Sequence, residues 1–267
     1  MNMNVWTVGF VTAILLFQIV AVPALLLRKN DLADVLWGPA FIISALAAAI
    51  WGTNDGFSSL TSRSLLLLSL LTIWATRLFI HVGWRNLSHR AEDIRYNNWR
   101  KQWGKTWLWR SYLQVFVLQP LILYCFLTPV LHAIASPQVP MSWIACAGLA
   151  VWLIGFFFES VADEQLRQFK SNPNNKGTLM TQGLWSLSRH PNYFGEVVQW
   201  WGLWMLVLEL PLGWASIVSP LGVTYLILKV SGVSMLEDVM KLRPGFIEYA
   251  RNTSKFIPMK PLSQRRS

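Results

Sequence analysis

The sequence predicts an all-α integral membrane protein with seven transmembrane helices, its N-terminus outside and its C-terminus inside. Three observations carry that expectation. Of 267 residues, 54% are hydrophobic and only 13% charged, a balance suited to hydrocarbon rather than water. Seven apolar runs approach the roughly 20 residues a helix needs to cross a bilayer. The 23 Lys and Arg, which outnumber 13 Asp and Glu for a net charge of +10, fall almost entirely in alternate loops. A disordered chain, a collagen-like chain and an ordinary cytosolic enzyme are excluded by the same composition.

The first run, Val5–Leu27, follows an uncharged start and is closed by Arg28 and Lys29. It is too long for a signal-peptide core and its positive flank is on the wrong side, so it reads as a retained anchor with its N-terminus outside. Six more follow, at about Val35–Gly52, Leu65–Trp84, Trp109–Ala133, Trp143–Phe158, Tyr193–Leu208 and Trp214–Val230. The sixth of the seven is short and begins with polar residues. If the runs alternate sides, 21 of the 23 cations lie inside, with Arg63 outside and Arg77 within a span. Hydropathy and charge therefore agree on seven crossings. The chain reads as a single membrane-embedded domain over 1–267, its cofactor-binding half at about 143–260. Cys125 and Cys146 lie in apolar runs without CxxC spacing and read as buried free thiols.

Ionisable groups at or inside spans are costly unless they face a partner or a cavity. Four clusters qualify. Asp31 and Asp34 stand with Trp37 at the start of the second span, where Asp31 is placed to cap the helix. Arg77, His81 and Arg85 recur every four residues along one face of the third span, and the patch RAEDIRYNNWRK, with Arg95 and Tyr96, follows. Glu159, Asp163 and Arg167, then Lys170, form a stripe if the fifth helix continues beyond the membrane. The fourth cluster is GLWSLSRHPNYFGEVVQWWGLW. Pro191 suits a first helical turn, Asn192, Glu196 and Trp200 then share a face, and Arg189 and His190 precede a helix start whose dipole favours phosphate. No GxGxxG, Walker A, HExxH or GxSxG occurs, and His81, His89, His132 and His190 lack metal-ligand spacing.

At SRHPNYFGE the sequence resembles the steroid 5α-reductase superfamily, in particular its bacterial branch known as a domain of unknown function. NDLADVLWG, TRLFIHVGWRN followed by EDIRY, ADEQLRQFK and LEDVMKLRPGFIEYARNTSKFIP carry the likeness over nearly the whole chain. RHPxY also occurs in sterol reductases and in isoprenylcysteine carboxyl methyltransferases. The resemblance implies a seven-helix enzyme of a bacterial inner membrane that binds NADPH at its cytoplasmic side and reduces a C=C bond conjugated to a ketone. It implies cofactor-binding roles for Asp163, Arg167, Asn192, Glu196 and Arg77, with Glu159 where the family has Asn and Lys170 in place of a basic neighbour. The Glu and Tyr that polarise the ketone in eukaryotic reductases are absent; Trp74 stands at the Tyr position, leaving Asp34 or His81 as proton donor.

Residues and resemblance together lead to an expectation: Arg77, Arg85, Arg95, Tyr96, Glu159, Asp163, Arg167, Lys170, Arg189, His190, Asn192, Tyr193 and Glu196 surround NADPH. Trp74, Asp34 and His81 serve a hydrophobic substrate. The partners expected are this small molecule and membrane lipid, not nucleic acid, and no metal. The alternatives are an S-adenosylmethionine-dependent membrane methyltransferase and a non-enzymatic lipid-binding protein.

Overall fold

The computed structural model describes residues 4–88 and 92–260. The described residues are helical with no named strand; one isolated bridge joins Ser188 and Ser254. They form two compact units, 4–141 with 207–218, and 142–206 with 219–260.

In the first unit α1 (Val5–Leu27) begins at Asn4, whose side chain accepts from the Thr7 N–H at 2.9 Å, a regular N-cap. It packs on α2 (Leu32–Trp51), and α2 on α3 (Ser62–Ser88). At Gly38 the α2 backbone approaches α3 so closely that a Cβ would sit 2.4 Å from the Ala75 carbonyl oxygen. The core holds Phe17, Phe41, Leu67, Leu71 and, from later helices, Phe116, Leu123 and Leu127. After α4 (Ile94–Trp103), the chain runs through α5 (Trp107–Ser111) and a π-helical stretch, Tyr112–Val117, into α6 (Leu118–Ala135). A π-turn frees a carbonyl from the regular ladder, and here Gln18 donates to the Phe116 carbonyl at 2.7 Å.

Two expectations for this unit change. Asp31 starts α2 without capping it. Its φ −66° and ψ −9° are already helical, whereas a cap needs extended backbone to aim its oxygen at the first turn. Its carboxylate instead accepts from the Asp93 backbone N–H at 3.2 Å. The cysteines, Cys125 in this unit and Cys146 in the other, are exposed rather than buried.

The second unit is built on α7 (Trp143–Ser171) and α8 (Pro191–Val207). The predicted fifth span continues past Phe158 without a break, so Glu159 to Lys170 are helical. Glycines set the spacing of the pair. A Cβ on Gly155 would lie 2.6 Å from the Gly195 carbonyl oxygen, and one on Gly195 would lie 2.4 Å from the Glu159 nitrogen. Gly148 and Gly202 repeat the contact two turns away, with the Gly202 position 2.7 Å from the Gly148 oxygen. Small residues at this interval let two helices meet backbone to backbone in a membrane, where water exclusion no longer drives association. After α9 (Val218–Tyr225) and a second π-helical stretch, Leu226–Val230, come α10 (Val233–Met240) and α11 (Phe246–Asn252).

Among the described residues six segments are long and apolar enough to cross a membrane: Val5–Leu27, Leu32–Trp51, Ser62–Trp84, Arg95–Ala135, Trp143–Ser171 and Gly213–Met240. The remaining predicted crossing is the 17-residue helix α8.

Candidate functional site

The close approach of α7 and α8 pairs polar groups that lie far apart in sequence. Asp163 on α7 accepts from the Asn192 side-chain amide at 2.9 Å. The Asn192 amide oxygen is buried and has no hydrogen-bond partner among the described residues. One turn along α7, the buried Glu159 accepts from Gln199 of α8. Glu196 falls one turn beyond Asn192 on α8, half-buried. Sequence spacing placed Asn192 and Glu196 on one face; the partner of Asn192 on α7 follows from the glycine contacts.

Arg167 leaves the expected stripe. It pairs with Glu164 at i,i+3, its Nη2 2.6 Å from the carboxylate, and both are exposed, so the pair adds little to stability. Lys170 is exposed nearby on the same helix.

The turn before α8 is tied to the C-terminal segment. Arg189 is buried, with Nε and Nη2 each 2.9 Å from the two oxygens of Glu237. Its Nη1 donates to the carbonyls of Thr253 at 2.9 Å and Ala250 at 3.1 Å. His190 brings Nε2 to 3.0 Å from Glu237 Oε1 and stacks on Tyr193 at 5.9 Å. Burial pushes the His190 pKa below its ordinary value of 6.5, against the pull of Glu237 and with the help of Arg189 and Lys255. The neutral ring then donates from Nε2. Around this core the Arg189 N–H donates to the Ser254 carbonyl at 2.9 Å, Ser188 Oγ to that of Phe256 at 2.7 Å, and the Met259 N–H to that of Leu187 at 3.0 Å. Tyr249, its phenol pKa raised by burial, donates to the Trp185 carbonyl at 2.5 Å.

Arg189 and His190, read from sequence as cations for a phosphate, therefore meet an internal carboxylate. Glu237 is the residue that sequence reading missed. It lies in the LEDVMKLRPGF segment that the resemblance singled out, but 48 positions from Arg189, and no local spacing links them.

In the first unit Asp34 is bound on both sides. Tyr96, itself buried, donates to one oxygen at 2.6 Å, and Arg95 reaches the other at 2.7 Å while also pairing with Asp93 at 3.0 Å. Both carboxylate oxygens of Asp34 are thus engaged by neighbouring side chains. Beside it Glu92 pairs with Arg100 at 2.6 Å and accepts from the Asn30 N–H at 2.9 Å. Trp74 is buried edge-on against Phe41, centroids 5.4 Å apart. Arg77 and His81 are half-buried on α3. The Arg85 side chain and His89 lie outside the described residues. No group of three or more His, Cys, Asp or Glu suited to a metal occurs among the described residues.

Fold and site together define an all-helical membrane protein in which two glycine-packed helices carry a half-buried amide and carboxylate pair at the start of one of them. The chain belongs to the family described as a protein of unknown function (DUF1295), whose profile matches residues 19–253. It is 23% identical to an uncharacterised protein of Schizosaccharomyces pombe over 96% of this chain and 80% of that one. It is 34% identical to the probable O-methyltransferase ustE of Ustilaginoidea virens over 28% of this chain and 27% of the relative. With the Delta(14)-sterol reductase erg24 of Schizosaccharomyces pombe it shares 32% identity over 29% of this chain and 20% of that one. The chain thus spans about a quarter or less of the two relatives whose names carry an activity. No solved structure matches.

Proposed function

We propose that this protein is a membrane reductase that uses NADPH to reduce the C=C bond of a hydrophobic enone. The observation that carries the reading is the Asp163–Asn192 pair, with its buried, unanswered amide oxygen at the start of α8. A buried polar acceptor without a donor is costly, and a carboxamide or ribose hydroxyl supplies what it lacks. The similarity to a sterol reductase supports the same class.

In this reading Asp163 and Asn192 hold hydroxyl and amide groups of the nucleotide, with Glu196 one turn deeper and Tyr193 beside them. Lys170 and Arg167 supply exposed positive charge for phosphates. Arg189 acts through the turn rather than on the ligand, because Glu237 and two carbonyls occupy it. NADPH, when bound, supplies the hydride. Glu159 and Gln199 fix the helix register below the site, and α8 serves as the seventh crossing.

The second reading, methyl transfer from S-adenosylmethionine, is favoured by the similarity to ustE. Thermal unfolding of the detergent-purified protein separates the two, since a ligand that binds only the folded state raises its stability. NADPH is expected to raise the Tm, and Asn192→Ala to remove that shift while the unliganded Tm stays close to the parent's. A shift with S-adenosylmethionine alone would overturn the reductase reading, and a shift with neither would favour a non-enzymatic, lipid-binding role.

A further inference from the structure

The segment from α4 to the start of α6 is basic and rich in tryptophan: IRYNNWRKQWGKTWLWRSY contains Arg95, Arg100, Lys101, Lys105 and Arg110 and no carboxylate. The neighbouring acids are already engaged. Asp34 and Asp93 pair with Arg95, Glu92 pairs with Arg100, and Asp31 accepts from a backbone N–H. Arg28, Lys101, Lys105 and Arg110 have no carboxylate within salt-bridge distance among the described residues, and all four are exposed. Two of them lie against indoles, Arg28 5.7 Å from the centre of Trp107 and Arg110 5.4 Å from that of Trp109. Stacking of this kind holds a cation in place while leaving its charge unneutralised.

The apolar surface begins at the same place. Leu108 is 52% exposed, Trp109 53% and Leu113 47%, on the segment Arg95–Ala135 that is long and apolar enough to cross a membrane. Exposed cations, half-exposed indoles and exposed leucines therefore follow one another within a few residues. An acidic protein or a nucleic acid would neutralise the cations and leave Leu108 and Leu113 in water. A bilayer surface answers all three, with phosphates for the cations, the headgroup zone for the indoles and acyl chains for the leucines.

We propose that Arg28, Lys101, Lys105 and Arg110 form a binding patch for anionic phospholipid headgroups, anchored by Trp107 and Trp109. The site is independent of the reductase reading, because none of these residues belongs to the α7–α8 cluster.

The test uses the full chain in detergent, supplemented with phosphatidylglycerol or phosphatidylcholine, with the rise in unfolding temperature and the lipids retained in native mass spectrometry as readouts. Phosphatidylglycerol is expected to stabilise more than phosphatidylcholine, and the difference to shrink as salt rises from about 0.1 to about 0.5 M. Lys101→Gln/Lys105→Gln/Arg110→Gln should weaken retention of the anionic lipid on the order of a hundredfold, at several-fold per cation. Its unfolding temperature in phosphatidylcholine should match the parent's, and Lys101→Arg/Lys105→Arg should retain the preference. Equal stabilisation by the two lipids overturns the proposal. So does an undiminished preference in the triple Gln variant, or displacement of phosphatidylglycerol by a short DNA oligonucleotide.

Discussion

Glu237→Ala tests whether the turn that opens α8 is held from the C-terminal segment. The substitution leaves the Arg189 guanidinium buried, with only the carbonyls of Thr253 and Ala250 still accepting from it. Removing one partner of a buried ion pair costs about 3–5 kcal/mol. The two remaining carbonyls and the position of Glu237 on the short helix α10 argue for the lower end, about 3 kcal/mol. For a chain of this size that is a fall on the order of 6–10 °C in Tm. Glu237→Gln keeps an acceptor for Arg189 and for His190 and should lose about half as much. Arg189→Ala/Glu237→Ala removes the stranded charge, so its loss should be well below the sum of the single losses. Thermal unfolding of the four proteins in one detergent measures these differences, and limited tryptic proteolysis at Lys241 shows whether the C-terminal segment is released. If Glu237→Ala costs less than about 0.5 kcal/mol, or the single losses simply add, the latch does not exist as described.

Gly195→Ala would put a Cβ 2.4 Å from the Glu159 nitrogen and 2.5 Å from the Gly155 oxygen; because both are backbone atoms the helices must separate, and a loss of about 2–3 kcal/mol is expected in the unfolding assay. Gly104→Ala, where a Cβ meets nothing within 4 Å, provides a contrast: φ +49° makes its cost one of backbone strain, about 1 kcal/mol. For His190 the direction with pH follows from a folded pKa held below 6.5 by burial. The unfolded chain takes up the proton first, so this contribution to stability is complete above about pH 6.5 and is lost as pH falls toward the depressed folded value. Unfolding temperatures between about pH 8 and 5 should fall less steeply in His190→Gln than in the parent, and parallel curves would remove His190 from the explanation. Asp34→Ala removes the carboxylate that accepts from the buried Tyr96 hydroxyl and leaves Arg95 to Asp93 alone, and should cost about 1–2 kcal/mol; a neutral outcome in the same assay would mean the network is not closed.

What could be read from the sequence was what is local. The apolar run Val5–Leu27 is α1 residue for residue, because an uninterrupted hydrophobic stretch bounded by Asn4 and Arg28 specifies both ends. The i,i+4 recurrence from Glu159 correctly carried α7 out to the polar residues, and Pro191 correctly opened α8. The two π-helical stretches were not legible, since Tyr112–Val117 and Leu226–Val230 have the apolar composition of any membrane helix. Nor were the partners. Arg167 was placed on a stripe with Asp163 by a four-residue interval; it meets Glu164, and Asp163 accepts from Asn192 29 positions away. That pairing depends on the glycine register of two helices, and spacing within either helix does not encode it.

The division of charge gives the two halves of the functional argument a common basis. A cation in this chain tells little about ligands until its carboxylate is found. Arg189, beside the helix start most suited to a phosphate, is neutralised by Glu237; Arg95 and Arg100 are neutralised by Asp34, Asp93 and Glu92. The sequence offered Arg189 and Arg95 as cofactor ligands, and the geometry engages both, like Arg100, with internal carboxylates. Arg28, Lys101, Lys105 and Arg110 read from sequence as ordinary membrane-side charge, yet no carboxylate among the described residues pairs with them, and Arg28 and Arg110 lie against the indoles of Trp107 and Trp109. These four carry part of the net charge of +10. The buried cluster of α7 and α8 contributes acceptors instead: two carboxylates and an unfilled amide oxygen. In the proposed reading a nucleotide bound there is selected first by the hydrogen-bond donors it brings and only then by its phosphates. Asn192→Asp makes that ordering measurable. It replaces the amide donor with a carboxylate that repels Asp163, and should weaken nucleotide binding more than Lys170→Gln does; the reverse order would return the phosphate contacts to first place.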